Sequence, residues 1–81
     1  MIQSEYKFSK HASKMLHIRK EIKEEWIWKT IEQPHMEIRV SENELHLFKK
    51  IEEFGGKVLK VVVNPKNRLI ITAFFDRRIK I

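Results

Sequence analysis

Histidine, lysine and arginine are the side chains of this sequence whose chemistry could serve a reaction. The four histidines, at positions 11, 17, 35 and 46, show none of the spacings HxH, HxxxH or HExxH that bind metals. No GxxxxGK[ST] or GxGxxG motif is present, and no serine lies in a nucleophile-elbow context. The chain also has no cysteine. We therefore expect no metal and no cofactor, which leaves acid–base chemistry by histidine supported by cationic side chains.

Metal-free cleavage of RNA fits this inventory. Attack of a 2′-hydroxyl on its own phosphate requires a base, an acid and cations next to the developing negative charge. His11 is the best candidate for acid or base, because it lies in a basic segment at the start of a predicted helix. The alternative, of about equal weight, is a capping or surface histidine.

The cationic side chains are concentrated at the two ends of the chain. The formal net charge is +6, and successive quarters of the sequence carry +4, −2, 0 and +4. If the ends meet in space, they form one basic face that suits a polyanion or an acidic partner. The cations near the C-terminus could bind phosphates there, or could form a solvated tail; they are Arg77, Arg78 and Lys80.

The elements that must position these side chains follow from the hydrophobic period. Ser9 caps a predicted helix from Lys10 to about Lys20, and a second helix fits Glu24 to Glu32 and ends at Gln33-Pro34. After Pro34 the period changes to 2. Four strands are predicted, at 36–40, 44–51, 57–64 and 69–75, separated by turns at 41–43, 55–56 and 65–67.

Short connections make these strands antiparallel neighbours. We therefore predict a single α+β domain over residues 1–81, with two N-terminal helices packed on a four-stranded antiparallel sheet. Residues 6–8 could add a short edge strand.

The alternation within the strands predicts which side chains lie on the open sheet face. On the third strand Lys60 shares a face with Val58 and Val62, and on the fourth Thr72 shares a face with Ile70 and Phe74. With helices on the other face, Lys60 and Thr72 would form a shallow basic floor with some of His46, Lys49 or Lys50. The competing interpretation of Lys60 is an exposed strand lysine without a function. The competing interpretation of His46 is a structural histidine whose hydrogen bonds are made within the sheet.

Trp26 and Trp28 point to different sides of the second helix, so one of them should be less buried. An exposed tryptophan would suit a protein partner. Half-burial of both rings against the sheet is the alternative.

Several segments together resemble a small prokaryotic family of unknown function that is grouped with BrnT-like and RelE-like toxins. They are SKHASKML, R-x-E-I-x-E-E-W, the Gln-Pro helix stop, FKKIEEFGGKVLKVVV and ITAFFDRR, and they cover residues 8 to 78. The resemblance implies a RelE/BrnT-like ribonuclease-toxin fold. It also implies a type II toxin–antitoxin setting, in which an antitoxin covers the basic face.

Carried over by position, the family's N-terminal histidine falls on His11, its first-helix arginine on Arg19 and its third-strand basic residue on Lys60. The C-terminal block falls on Thr72, Asp76, Arg77 and Arg78. Lysine at position 60, where arginine is commoner, keeps the charge but weakens bidentate phosphate recognition.

The sequence thus predicts a cytoplasmic toxin that cleaves RNA without metal and binds a cognate antitoxin. The expected assembly is either a homo-oligomer or a toxin–antitoxin hetero-oligomer. A non-catalytic module that binds RNA or protein on the same fold is the alternative. No membrane role is expected. The predicted residues are His11, Lys60, Arg19 and Arg77 for catalysis, Lys10, Lys14, His46, Lys49, Thr72 and Arg78 for RNA binding, and Trp26 and Trp28 for a partner.

Overall fold

The chain folds as an α+β domain, and a computed structural model describes residues 5–81. Two helices follow a very short first strand, and four longer strands complete the chain. The elements are β1 (Lys7–Phe8), α1 (Lys10–Ile18), α2 (Glu24–Glu32), β2 (Met36–Ser41), β3 (Glu44–Ile51), a 3-10 turn (Glu52–Phe54), β4 (Lys57–Asn64) and β5 (Leu69–Phe75).

The sheet has five strands and is mixed, with the order β1-β5-β4-β3-β2. Strands β2 to β5 are antiparallel neighbours, whereas β1 pairs in parallel with β5. The prediction of a purely antiparallel, four-stranded sheet is therefore wrong, although the suggested edge strand near residue 7 is present. A strand of two residues is too short to show a period in the sequence. It is defined by its hydrogen bonds to a distant segment, such as the 2.9 Å bond from the Lys7 N–H to the Arg68 carbonyl.

Both helices begin where the sequence predicts. The Ser9 side chain accepts a 3.0 Å hydrogen bond from the Ala12 N–H and so caps α1. Helix α1 ends at Ile18, two residues before the predicted Lys20, and α2 has the predicted bounds. Helix α1 packs on β5, and α2 packs on β3 and β4.

The core lies between the helices and one face of the sheet. Leu59, Val61 and Val63 of β4 are fully buried there, and Ala12, Met15, Ile22, Trp26 and Ile27 cover them from the helical layer. Burial of apolar surface at this layer is the main stabilising contribution to the fold.

An irregularity in the β4–β5 ladder changes one predicted face. Val62 pairs with Thr72 but Val63 pairs with Ile70, so Ile71 is the extra residue of a bulge. Ile70 is consequently buried in the core together with Ala73, instead of lying on the face of Thr72 as strict alternation predicts.

Left-handed backbone appears at two of the predicted turns. Gly55 and Gly56 have φ of 70° and 74°, a conformation that glycine adopts without a steric cost. Arg68, with φ 58°, takes the same region just before β5. Over residues 5–81, neither helix is long and apolar enough to cross a membrane.

Candidate functional site

The face of the sheet that the helices leave uncovered carries a mixed set of side chains. Strand register places His46 of β3, Lys60 of β4, and Thr72 and Phe74 of β5 on this open face. His46 and Thr72 both pair with Val62, so they flank the same residue on its two sides. Three of the predicted residues, His46, Lys60 and Thr72, are thus brought together.

Lys60 lies at the centre of the open face between two aromatic rings. Its ammonium is 5.7 Å from the ring centroid of Phe48 and 5.4 Å from that of Phe74. Phe48 is buried and Phe74 half-buried, so the lysine stem packs on apolar surface while its charge remains accessible. A cation beside a partly exposed ring suits a phosphate together with a stacked base.

His46 is held in place by a carboxylate on its own strand. Its Nε2 lies 2.7 Å from Glu44 Oε2, and the histidine side chain is 18% exposed. A carboxylate that orients an imidazole is the usual companion of a histidine acting as acid or base. A satisfied structural histidine would show the same contact.

Asp76 follows β5 directly and is buried. Its backbone N–H donates to the Val58 carbonyl at 2.9 Å, and its carboxylate accepts from the N–H and the Nε of Arg78 at 3.0 and 3.3 Å. The bond from the Arg78 N–H is the main reason why the pKa of Asp76 lies below its ordinary value; burial opposes this, and the charges of Arg78 and Lys60 add to it. Asp76 thus anchors the C-terminal segment and holds the predicted Arg78 there.

That segment lines a cavity of about 510 Å³ at one end of the open face. Val58, Ile79 and Ile81 supply apolar lining, and Asp76 is its acidic residue. The cationic lining residues are Lys50, Lys57, Arg77 and Lys80. Arg77, predicted as catalytic, is exposed at this cavity, and the excess of cations makes it suited to an anion.

The other predicted catalytic residues lie along α1 at the β5 edge of the sheet. His11 is exposed and lines a cleft of about 170 Å³ with Lys14, Met15, Ile18 and Arg19. Helix α1 packs on β5, so the first and last quarters of the chain are in contact, but the cations of α1 and those of the C-terminal segment line different cavities. His11 nonetheless belongs to the helix at the sheet edge, whereas Lys60 lies on the open face, so the predicted pair is split between two surfaces.

Arg19 is tied to the backbone of the sheet. Its Nη1 donates to the Ala73 carbonyl at 2.8 Å, and the residue is half-buried as the C-cap of α1. A carbonyl on the outer edge of β5 is thereby satisfied. This contact gives Arg19 a structural part that the sequence does not reveal.

All three lysines predicted to bind RNA, Lys10, Lys14 and Lys49, lie away from the open face. Lys49 pairs with the core residue Leu59, so it lies on the helical side, where its Nζ donates to the Gln33 carbonyl at 2.9 Å. Lys10 is exposed at the start of α1 and lines a shallow groove with Phe8, Lys14 and His17.

The two tryptophans differ as their helical positions predict. Trp26 is buried in the core, packed near Phe54 and Phe75, and is not accessible to a partner in this fold. Trp28 is half-buried, stacks on Phe8 at 5.4 Å, and donates from Nε1 to Glu24 at 3.1 Å. Only Trp28 keeps surface that a partner could contact.

The sequence places Phe74 on the face of Thr72 but assigns it no part in the site, and Phe48 and Glu44 were missed as members of the open-face cluster. The available signal was the period of 2, which already places Phe74 beside Thr72 and Phe48 beside His46. The contact between Lys60 and the two rings depends on strand pairing, which local pattern does not specify.

No group of three or more metal-ligating side chains occurs within residues 5–81. Comparison with protein-family models, with curated proteins and with solved structures finds no match to this chain.

Proposed function

We propose that the open face of the sheet binds RNA and that the chain is a metal-independent endoribonuclease of the toxin class. The observation that carries this proposal is the Lys60 ammonium held between Phe48 and Phe74, beside a cavity with a strong excess of cations. A phosphate would contact Lys60, and a base would stack on Phe74. The resemblance to BrnT-like and RelE-like toxins supports the same assignment.

In this proposal His46 moves the proton on the open face. The 2′-hydroxyl attacks the adjacent phosphorus while His46 accepts its proton, and the P–O5′ bond breaks to leave a 2′,3′-cyclic phosphate. The leaving 5′-oxygen takes a proton from water, and the His46 imidazolium returns its proton to water. Lys60 stabilises the charge on the phosphate oxygens, and Glu44 orients the His46 ring. His46 takes this part ahead of the sequence candidate His11 because His46 shares the face of Lys60.

An acidic antitoxin segment would cover the same face when the toxin is held inactive. The cations around the cavity at its end would attract such a segment. Isolation of the complex from the native host would report the antitoxin and any bound RNA together.

The test is cleavage of RNA by the purified protein in EDTA, with analysis of the product ends. We expect 2′,3′-cyclic or 3′-phosphate ends and growth arrest when the chain is expressed. Lys60→Met, which keeps the aliphatic stem, should lower cleavage by about 10²–10³-fold, as loss of one charge-stabilising donor does. Lys29→Met removes an exposed cation from α2 and serves as the matched control.

Histidine variants then assign the acid–base residue. His46→Gln should abolish cleavage while His11→Ala leaves it intact; the reverse result would move the reaction to the α1 edge. Undiminished cleavage by Lys60→Met would remove the open face from the mechanism.

A non-catalytic binding module is the second candidate, and one observation favours it. Arg19, predicted to contact phosphate, is engaged with the Ala73 carbonyl, so the expected catalytic set is not assembled on one surface. A binder would hold RNA with an affinity that falls steeply with salt, would be weakened by Lys60→Met, and would neither cleave RNA nor arrest growth.

A further inference from the structure

The outer edge of β2 is the exposed side of the sheet opposite β1. Within residues 5–81, strand β2 pairs with β3 alone and ends the strand order, and five of its six residues are exposed. Ile38 and Val40 are 45% and 55% exposed, although large apolar side chains are usually covered. The packing of α1 on β5 and of α2 on β3 and β4 leaves β2 outside the helical layer.

The hydrogen-bonding groups on this edge belong to Glu37 and Arg39. The Phe48 carbonyl accepts a 2.8 Å bond from the His35 N–H, so the backbone groups of Phe48 face β2. Its register partner Met36, and Ile38 two residues on, therefore face β3. Backbone groups alternate along a strand, so those of Glu37 and Arg39 point outward.

The edge is self-complementary in one antiparallel register. When Ile38 lies opposite Ile38 of a second copy, Glu37 lies opposite Arg39 of that copy, and Arg39 opposite its Glu37. Each such pair combines two backbone hydrogen bonds with opposite charges directly across the strands. A shift of two residues in either direction would place Glu37 opposite Glu37, or Arg39 opposite Arg39, which is unfavourable.

The side chains of β2 have few competing partners on this edge. The contact of Arg39 within its own strand is a long one, 3.5 Å from Nη1 to the Ser41 carbonyl. Ile38 lies on the open face of the sheet, beside His46 on β3. In the pairing with a second copy, Ile38 would be covered by Ile38 of that copy. The two residues would form a non-hydrogen-bonded antiparallel pair, the type in which side chains lie closest together.

We propose that two copies of this chain associate through their β2 strands about a two-fold axis at Ile38. The two sheets join into one, with both helical layers on the same side and both open faces on the other. The bulge between Arg39 and Ser41 interrupts β2 and limits the regular ladder, so the junction is short. A junction of this size belongs with the small interfaces that are typical of weak or transient association.

Cysteine cross-linking tests the register directly, because the chain contains no cysteine. Ile38→Cys should form an intermolecular disulfide on mild oxidation, since residues facing each other in such a pair lie within disulfide range. Glu37→Cys, Arg39→Cys and the exposed Ile18→Cys should cross-link at least tenfold more slowly. Faster cross-linking at position 37 or 39 than at 38 would overturn the register.

Charge exchange tests the association without oxidation. Glu37→Lys alone, or Arg39→Glu alone, should weaken the dimer about tenfold in sedimentation equilibrium at low salt, because like charges then face each other. The double variant E37K/R39E should restore the affinity, since the exchanged charges again face opposite charges. Glu32→Lys, on α2, is the matched control and should leave the dimer unchanged.

Circular dichroism and thermal unfolding of each variant confirm that the monomer fold is retained. A wild-type chain that stays monomeric up to about 1 mM would overturn the proposal. A dimer that the single charge reversals leave intact would also overturn it. Both measurements use the protein without RNA, so their outcome is separate from that of the proposed nuclease function.

Discussion

The two faces of the sheet differ although they are built from the same strands. On the helical face of β4, Leu59, Val61 and Val63 are fully buried. On the open face of the same strand, Lys60 interrupts an otherwise apolar row of Val58 and Val62. The helical face is a continuous core, whereas the open face combines buried apolar residues with a charge.

This contrast separates stability from function. A core face needs only apolar side chains of the right size, and a charge within it would be costly. Lys60, in the middle of the open face, makes no contribution of this kind, and its ammonium lies beside the rings of Phe48 and Phe74 instead. Substitution of Leu59 should therefore lower mainly the stability of the fold, whereas substitution of the neighbouring Lys60 should leave the stability nearly unchanged.

Of two neighbouring substitutions in β4, Leu59→Ala should have the larger effect on stability. Leu59 is fully buried beneath the helices, so its truncation should lower the free energy of unfolding by about 2–5 kcal/mol, measured by urea denaturation. Lys60→Met, the next residue, should change it by less than about 1 kcal/mol, because the stem still packs on Phe48 and Phe74. Equal losses for the two variants would remove the distinction between the faces.

Arg19→Met should have the next largest effect, at the edge where α1 meets β5. The Arg19 guanidinium satisfies the Ala73 carbonyl, so its loss should cost about 1–3 kcal/mol in the same assay. Arg77→Met, at the exposed end of the chain, is the matched control and should cost less than about 0.5 kcal/mol. An unchanged midpoint for Arg19→Met would contradict this structural part and leave Arg19 with the catalytic role that the resemblance implies.

The sequence predicts the elements better than it predicts the faces. The β-branched, apolar run at residues 57–64 and the clear turn residues beside it place β4 at its observed bounds, and the cap Ser9 and stop Pro34 place the helices. The bulge at Ile71 reverses the face of Ile70 because an inserted residue leaves no mark in the pattern. Alternation along a strand is a local rule, and a bulge is a feature of the pairing.

The sequence predicts which residues belong to the candidate site better than it predicts how they are arranged in space. Lys60, Thr72 and His46 follow from the period, but the separation of His11 from Lys60 depends on which sheet surface α1 lies against. Lys49 is predicted to bind RNA together with His46, although strand residues an odd number of positions apart lie on opposite faces. The position of Lys49 could thus have been derived from the alternation alone.

Asp76→Asn should alter the pH dependence of stability at the end of the open face. The pKa of Asp76 is lowered in the folded chain, so the unfolded chain binds the proton more readily. The stabilisation is fully present above the ordinary pKa of an aspartate and is lost as the pH falls through the lower folded value, below about pH 4. Urea denaturation at pH 7 and pH 3 should show a smaller decline for Asp76→Asn than for the wild type.

Glu42→Gln provides the control for this measurement, since Glu42 is an exposed turn residue with one long contact to Lys66 at 3.9 Å. Its decline with pH should match that of the wild type. If Asp76→Asn declined as steeply as the wild type, Asp76 would not link pH to the stability of the C-terminal segment.

Trp26→Phe should have a small net effect, and it examines an unpaired polar group on the helical face. Among the described residues, the Trp26 Nε1 is the buried side-chain donor without a hydrogen-bond partner. Phenylalanine removes that unpaired N–H, which offsets the loss of ring volume, so the free energy of unfolding should change by less than about 1.5 kcal/mol. Trp26→Ala removes the whole ring from contact with Phe54 and Phe75 and should cost about 3–5 kcal/mol. A loss for Trp26→Phe as large as that for Trp26→Ala would mean that ring volume dominates and that the unpaired donor carries little penalty. A small loss would show that even the continuous core retains a polar group which packing alone does not require.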